Sequence, residues 1–189
     1  MPAATVEAHG RLRLFCGLTL PADVRDALGD WQRQSLRCAA RVIEPRNLHL
    51  TLAFLGQRPG EDVGPVADAL AAATRSLSEP IRLSPLRYRE TQSVAMLVLA
   101  DEEERAGRLA HSLHERLERI GVYKPEARPW LPHVTVLRFG SPPRLRPPLP
   151  DLAPFSPSGA AVYHSVLARG GARYKVLESV SLSEMQLGG

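Results

Sequence analysis

Asn47-Leu48-His49-Leu50-Thr51-Leu52-Ala53-Phe54-Leu55-Gly56 is an apolar run in which a histidine and a threonine stand two residues apart. Residues 133–136 repeat the arrangement as His133-Val134-Thr135-Val136. Side chains alternate across a strand, so each copy sends imidazole and hydroxyl to one face and aliphatic residues to the other. A lone histidine on an apolar strand is usually a hydrogen-bonded core residue, and a strand threonine is commonly there for β propensity. Two matched copies, 84 residues apart by position (133 against 49), instead predict two half-sites meeting in one cleft. Two imidazoles flanking a reacting group can act as general base and general acid near neutral pH. Two hydroxyls can donate hydrogen bonds to an anion held between them.

The text around the motifs reads as alternating strands and helices. Arg11 to Leu20 predicts a strand with Leu12, Leu14, Cys16 and Leu18 on one face. Pro21 then opens a helix, since its fixed φ suits a first turn, and Val24, Ala27, Leu28 and Trp31 recur at helical spacing. Val42-Ile43-Glu44-Pro45 leads to a strand over Leu48–Leu55 ended by Gly56, and Asp62 to Leu77 predicts a second amphipathic helix. Ile81–Tyr88 and Val94–Leu99 form a strand pair. Glu102–Ile120 is a helix with Leu109, Leu113, Leu117 and Ile120 aligned and Gly121 as its stop.

Trp130–Phe139 carries the second motif. Residues 141–157 hold seven of the 17 prolines, which predicts a stiff extended loop and not a packed element. Ala160–Leu167 and Tyr174–Leu182 close the chain as two strands around Gly170-Gly171. The order implies an α+β fold of mainly antiparallel sheet with an internal pseudo-repeat, one motif per half.

Bulk properties narrow the functional classes. A chain of 189 residues forms one sizeable domain, here residues 11–189 behind a disordered leader over 1–10. A net charge of +4 suits a phosphate-bearing substrate but is too small for tight nonspecific nucleic-acid binding. Cys16 and Cys38 make no disulfide framework, which favours a reducing cytoplasm. Arg11–Leu20, interrupted by Arg13 and Gly17, is too short to cross a bilayer. No metal motif appears: His111 and His114 stand three apart on one helix without a companion ligand spacing. His9 and His164 have no partner pattern either, and Arg33, Arg37 and Arg41 read as the solvated side of a helix end.

With these motifs the sequence resembles the 2H phosphoesterases, and within them the bacterial RNA 2′,3′-cyclic phosphodiesterases, also called 2′-5′ RNA ligases. The flanks carry the resemblance as well: Leu14-Phe15 before Leu20-Pro21, Asn47 to Gly56, Arg128-Pro129-Trp130-Leu131-Pro132, and Arg173-Tyr174. It runs from about residue 11 to about residue 182. The resemblance implies a bilobal fold, two pseudo-symmetric lobes of mainly antiparallel sheet with outer helices around a central cleft. It also implies hydrolysis of 2′,3′-cyclic phosphates on RNA ends or nucleotides to 2′-phosphomonoesters without metal or other cofactor. The sequence has no heptad seam, long apolar patch or spanning segment, so a monomer away from membranes is expected.

On that reading His49 and His133 are the acid/base pair, with a lean towards His133 as base, and Thr51 and Thr135 hold the phosphate. Arg138 would lie near the phosphate and Phe15 would stack on the terminal base. Strand parity puts Arg138 opposite His133, however, so it joins the site only if the strand ends or twists there. Its first-half counterpart is Phe54. Arg128 or Arg46 could steer the RNA backbone. The alternatives are 2′-5′ ligation or cleavage of 2′-5′ linkages by the same pair, and a non-catalytic module that binds RNA ends.

Overall fold

Alternating apolar residues build almost every strand of the computed structural model, which describes residues 10–37, 40–169 and 171–182. The expected leader, apart from Gly10, and also Cys38 and Gly170, lie outside the described residues. Strand β1 (Arg11–Thr19) is followed by helix α1 (Ala22–Ser35), short β2 (Arg41–Val42), β3 (His49–Pro59) and helix α2 (Val63–Arg75). The second half runs β4 (Leu83–Glu90), β5 (Val94–Asp101), α3 (Arg105–Arg119) and β6 (His133–Arg138), and β7 (Gly159–Ala168) with β8 (Gly171–Ser181) completes the chain.

All strand pairs are antiparallel, in the order β4-β5-β6-β3-β1-β7-β8, with β2 pairing the end of β6 beyond its contact with β3. The α+β expectation therefore holds, with a curled sheet in two halves. The halves meet at β3 and β6, whose ladder consists of one pair, Leu50 with Val134. Leu14, Cys16 and Leu18 of β1 are fully buried on the helix side, as the alternation predicts, beside Leu28, Leu70, Leu109, Leu113 and Leu117 from the three helices. Helices α2 and α3 pack on each other, α2 against β7 and β8, α3 against β3 and β5. A second, small cluster of Phe15, Ala161 and Tyr163, with Tyr174 against it, occupies the opposite face. No helix among the described residues is long and apolar enough to cross a membrane.

Several expectations need correction. Gly56 does not end its strand: β3 continues to Pro59, and Gly56, at φ 69°, takes a left-handed conformation that glycine tolerates while pairing with Leu14. Helix α3 begins at Arg105 and not at Glu102: Glu102–Glu104 form a 3-10 turn, and the Asp101 carboxylate accepts from the backbone N–H groups of Ala106 and Gly107. At its far end Ile120 lies beyond the last turn and is exposed.

The proline-rich segment is extended, yet it is packed. Trp31 Nε1 donates to the Pro148 carbonyl at 2.8 Å, Glu90 accepts from the N–H groups of Arg144 and Leu145, and Phe155 bridges to Leu83. A chain that proline bars from a regular ladder satisfies its backbone through side chains instead. Arg41 is not on a helix end: it sits in β2, paired with Arg138.

Candidate active site

Both motifs lie on strands that break alternation at the same place. In β3, Thr51 pairs with Gly17 and Ala53 with Cys16, so Leu52 is an extra residue; Phe54 then pairs with Phe15. In β6, Thr135 pairs with Met96 and Leu137 with Ala95, leaving Val136 extra before Arg138 pairs with Val94. A β-bulge of this kind shifts every later side chain to the other face. Leu52 with Ala53, and Val136 with Leu137, are accordingly all buried in the core. The bulges return Phe54 to the face of His49 and Thr51, and Arg138 to the face of His133 and Thr135. The parity obstacle at Arg138 is removed by one inserted residue.

The bulges are held from across the molecule. Each leaves a carbonyl without its ladder partner. Leu52 O accepts from His114 Nε2 of α3 at 2.7 Å, and Val136 O accepts from Gln32 Nε2 of α1 at 3.1 Å and from the Ile43 N–H at 3.0 Å. Each half's helix thus reaches the bulge of the other half's motif strand. Trp130 Nε1 adds a third cross-tie, donating to Thr51 O at 3.0 Å.

The two imidazoles are oriented alike. His49 Nδ1–H donates to Asn47 O at 2.7 Å and His133 Nδ1–H to Leu131 O at 2.8 Å. A carbonyl only accepts, so Nδ1 carries the proton in each neutral ring and Nε2 offers a lone pair. His49 Nε2 accepts from the Thr51 hydroxyl at 3.1 Å. Asn47 is itself tied to β8 through Nδ2 and Ala172 O at 3.3 Å.

Beneath the ring lies Gly17. A Cβ there would stand 2.8 Å from Leu50 O and 3.3 Å from His49 Cδ2, so the close approach of β1 to His49 requires glycine. Phe15 at 4.8 Å, Tyr174 at 5.2 Å and Tyr163 at 5.8 Å surround the imidazole, centroid to centroid. Burial among these groups, aided by the nearby charges of His133 and Arg138, outweighs the Asn47 hydrogen bond and lowers the His49 pKa from 6.5 to about 4. Cys16, behind the same strand, is fully buried with its thiol pushed up to about 12, which removes it as a nucleophile.

The cleft encloses about 570 Å³. Phe15, His49, Thr51, Thr135 and Arg138 all line it, and His133 stands at the start of the same β6 face. Phe15 is only 3 % exposed, with its ring stacked on Tyr163 at 4.8 Å; it supports His49 and presents little free face for stacking. Arg13, Arg41, Arg46, Arg138 and Arg173 ring the opening. Arg46 pairs with Glu44 at 2.6 Å, whereas the other four have no carboxylate partner among the described residues. Arg128 is exposed and away from the cleft.

Gln32 and His114 carried no sequence signal for these roles, because each works through a backbone carbonyl brought near by the fold, and Asn47 showed only as the start of the first motif's flank. Among the described residues no group of three or more His, Cys, Asp or Glu side chains gathers as a metal site would require.

A curled antiparallel sheet presenting two His-x-Thr strands to one arginine-ringed cleft is the build of a two-histidine phosphoesterase. The family model for LigT-like phosphoesterases matches residues 18–87. The RNA 2′,3′-cyclic phosphodiesterase of Escherichia coli K12 is 30 % identical over 173 residues, covering 91 % of this chain and 97 % of that protein. Its namesake in Thermus thermophilus is 34 % identical over 181 residues, covering 90 % of each. Among solved structures, E. coli LigT complexed with 3′-AMP aligns with a TM-score of 0.73 at 27 % identity, over 91 % of this chain and 98 % of that one. TT0787 of T. thermophilus aligns with a TM-score of 0.73 at 31 % identity, over 90 % and 98 %. The chain belongs to the LigT-like phosphoesterase family.

Proposed function

We propose that this protein hydrolyses 2′,3′-cyclic phosphates on RNA ends or nucleotides to 2′-phosphomonoesters, using its two motif histidines and no metal. The observation that carries the reading is the matched anchoring of the two imidazoles by Nδ1, each two residues before a threonine that lines the one cleft. The names of the E. coli and Thermus relatives support the same chemistry.

His49, neutral through most of the working pH range, takes a proton from water at Nε2; its lowered pKa supports this assignment as base, where the sequence alone leaned towards His133. The hydroxide oxygen bonds to phosphorus and the bond from phosphorus to O3′ breaks. His133 as imidazolium gives its Nε2 proton to O3′, and exchange with solvent restores both rings. Thr135 donates to an equatorial phosphoryl oxygen, as does Thr51 once its hydroxyl turns from His49 Nε2 to the phosphate and frees that lone pair for water, with Arg138 beside them to balance the negative charge. Water at about 55 M favours hydrolysis over joining, since ligation needs a second RNA end held in place. The low cysteine content and a cleft complete within one chain support a cytoplasmic monomer.

The test is turnover of a short RNA ending in a 2′,3′-cyclic phosphate, with and without chelator. Hydrolysis to the 2′-phosphate that survives chelation and falls about 10²–10⁴-fold in His49→Ala and in His133→Ala is expected. Full activity in either variant, or tight binding without turnover by wild type, would refute it.

A further inference from the structure

Phe54 is an aromatic ring that the core does not use. It is 45 % exposed on the cleft wall, outside both hydrophobic clusters, and the Arg13 guanidinium lies 5.0 Å from its centroid. Strict alternation would turn this ring away from His49 and Thr51, and the bulge at Leu52 brings it back. It occupies the place in the first half that Arg138 holds in the second. The cleft also has a separate aromatic wall, where Tyr174 meets His49 and Phe15 edge-on.

One nucleoside needs one platform, and this cleft offers two: Tyr174, in ring contact with His49 and Phe15, and Phe54, whose ring contact is with Arg13. The Arg13 guanidinium lies over one face of Phe54 and has no carboxylate partner among the described residues, so a base stacks on the other face while the cation serves its phosphate, as aromatic and basic side chains do in single-stranded nucleic-acid grooves.

We propose that Phe54, with Arg13, forms a second nucleobase subsite that takes the base of the nucleotide adjoining the one bearing the cyclic phosphate. The cleft then selects RNA ends over mononucleotides. The inference rests on the phosphodiesterase reading and deepens it.

The experiment compares kcat/KM for a dinucleotide ending in a 2′,3′-cyclic phosphate with that for the corresponding mononucleotide 2′,3′-cyclic phosphate. It also measures equilibrium binding of the dinucleotide 2′-phosphate by titration calorimetry. Phe54→Ala lowers the dinucleotide-to-mononucleotide ratio about 5- to 150-fold, the range stacking on one base supplies, Phe54→Tyr restores it, and Arg13→Gln lowers it less. Equal losses on both substrates would mean that Phe54 serves the terminal base or the fold, and an unchanged ratio would mean that it serves neither; each overturns the proposal. Calorimetry separates the two readings: dinucleotide binding that Phe54→Ala weakens, with no turnover by wild type, would sink the hydrolase and leave the subsite standing.

Discussion

Burial of the His49 ring makes it a base that stays free at neutral pH and also a liability in acid. Its pKa of about 4 in the folded chain lies below the 6.5 of an exposed imidazole. Above pH 6.5 the ring is neutral whether the chain is folded or not, and its full contribution to stability is present. As pH falls from 6.5 through 4, the unfolded chain takes up a proton that the folded one refuses, and stability drops by at most about 3 kcal/mol. Urea denaturation at pH 7 and pH 5 should show this loss, and His49→Gln should flatten it; an equal loss in the variant would assign it elsewhere. The acid limb of kcat/KM should likewise fall well below pH 6.5, and a limb at 6.5 would count against His49 as base. Gly17 gives a steric test of the same ring. A methyl 2.8 Å from Leu50 O and 3.3 Å from His49 Cδ2 must push strand or imidazole aside. Gly17→Ala should therefore lower kcat about 10²-fold, the usual effect of misplacing a catalytic group by about 1 Å. Its stability cost, read from a thermal melt, should stay within about 1–3 kcal/mol.

The two motif strands work because each carries an extra residue just after its motif threonine, Leu52 in β3 and Val136 in β6. Without the bulges Arg138 and Phe54 would face the core, and the half-sites would be no more than a histidine and a threonine. Their carbonyls are satisfied by Gln32 and His114, so these residues position the site without touching substrate. His114→Leu strips the donor from Leu52 O and should cost about 1–3 kcal/mol of stability. Its kcat should fall about tenfold, and His114→Gln, which keeps an N–H in reach, should recover most of both. Gln32→Leu takes a donor from Ile43 O as well as Val136 O, but should cost less stability, because Val136 O keeps the Ile43 N–H and because the buried Gln32 Oε1, which has no partner among the described residues, is removed with it. A kcat unmoved in both variants would show the bulges to be self-supporting. Strands and helices were legible in the sequence because apolar spacing reports burial directly: Leu14, Cys16 and Leu18, or Leu109, Leu113 and Leu117, behave as their periods require. So was the shared face of His49 and Thr51. Arg138 was legible only as a conflict, since no residue type announces a bulge and Val136 looks like any strand valine. Gln32 and His114 were silent for a related reason: a donor to a backbone carbonyl leaves no pattern along the chain. Gly56 misled because glycine marks both stops and irregular positions within strands, and its neighbours cannot tell the two apart.

Across the whole molecule, charge is distributed less evenly than a net of +4 suggests. Arg33 is paired with Asp30, Arg58 with Asp62, Arg82 with Glu102, and Arg105 with Glu79 and Glu103, all away from the cleft. Arg13, Arg41, Arg138 and Arg173 line it unpaired among the described residues, and they come from β1, β2, β6 and β8. Four elements from both halves of the sheet thus converge their free cations on one opening, with walls that concentrate the field. These like charges repel one another across the cleft unless an anion lies between them. RNA should meet that need better the more phosphates it brings. Counterion release sets the size of the effect: log(kcat/KM) should fall with log[salt] by about 0.7 for each phosphate engaged on a single strand. A mononucleotide cyclic phosphate should give a shallow slope, and a tetranucleotide with the same end a slope steeper by one to two such increments. Arg173→Gln should shed about one increment from the longer substrate. Parallel slopes for the two substrates between about 50 and 500 mM salt would mean that the arginines act only on the reacting phosphate.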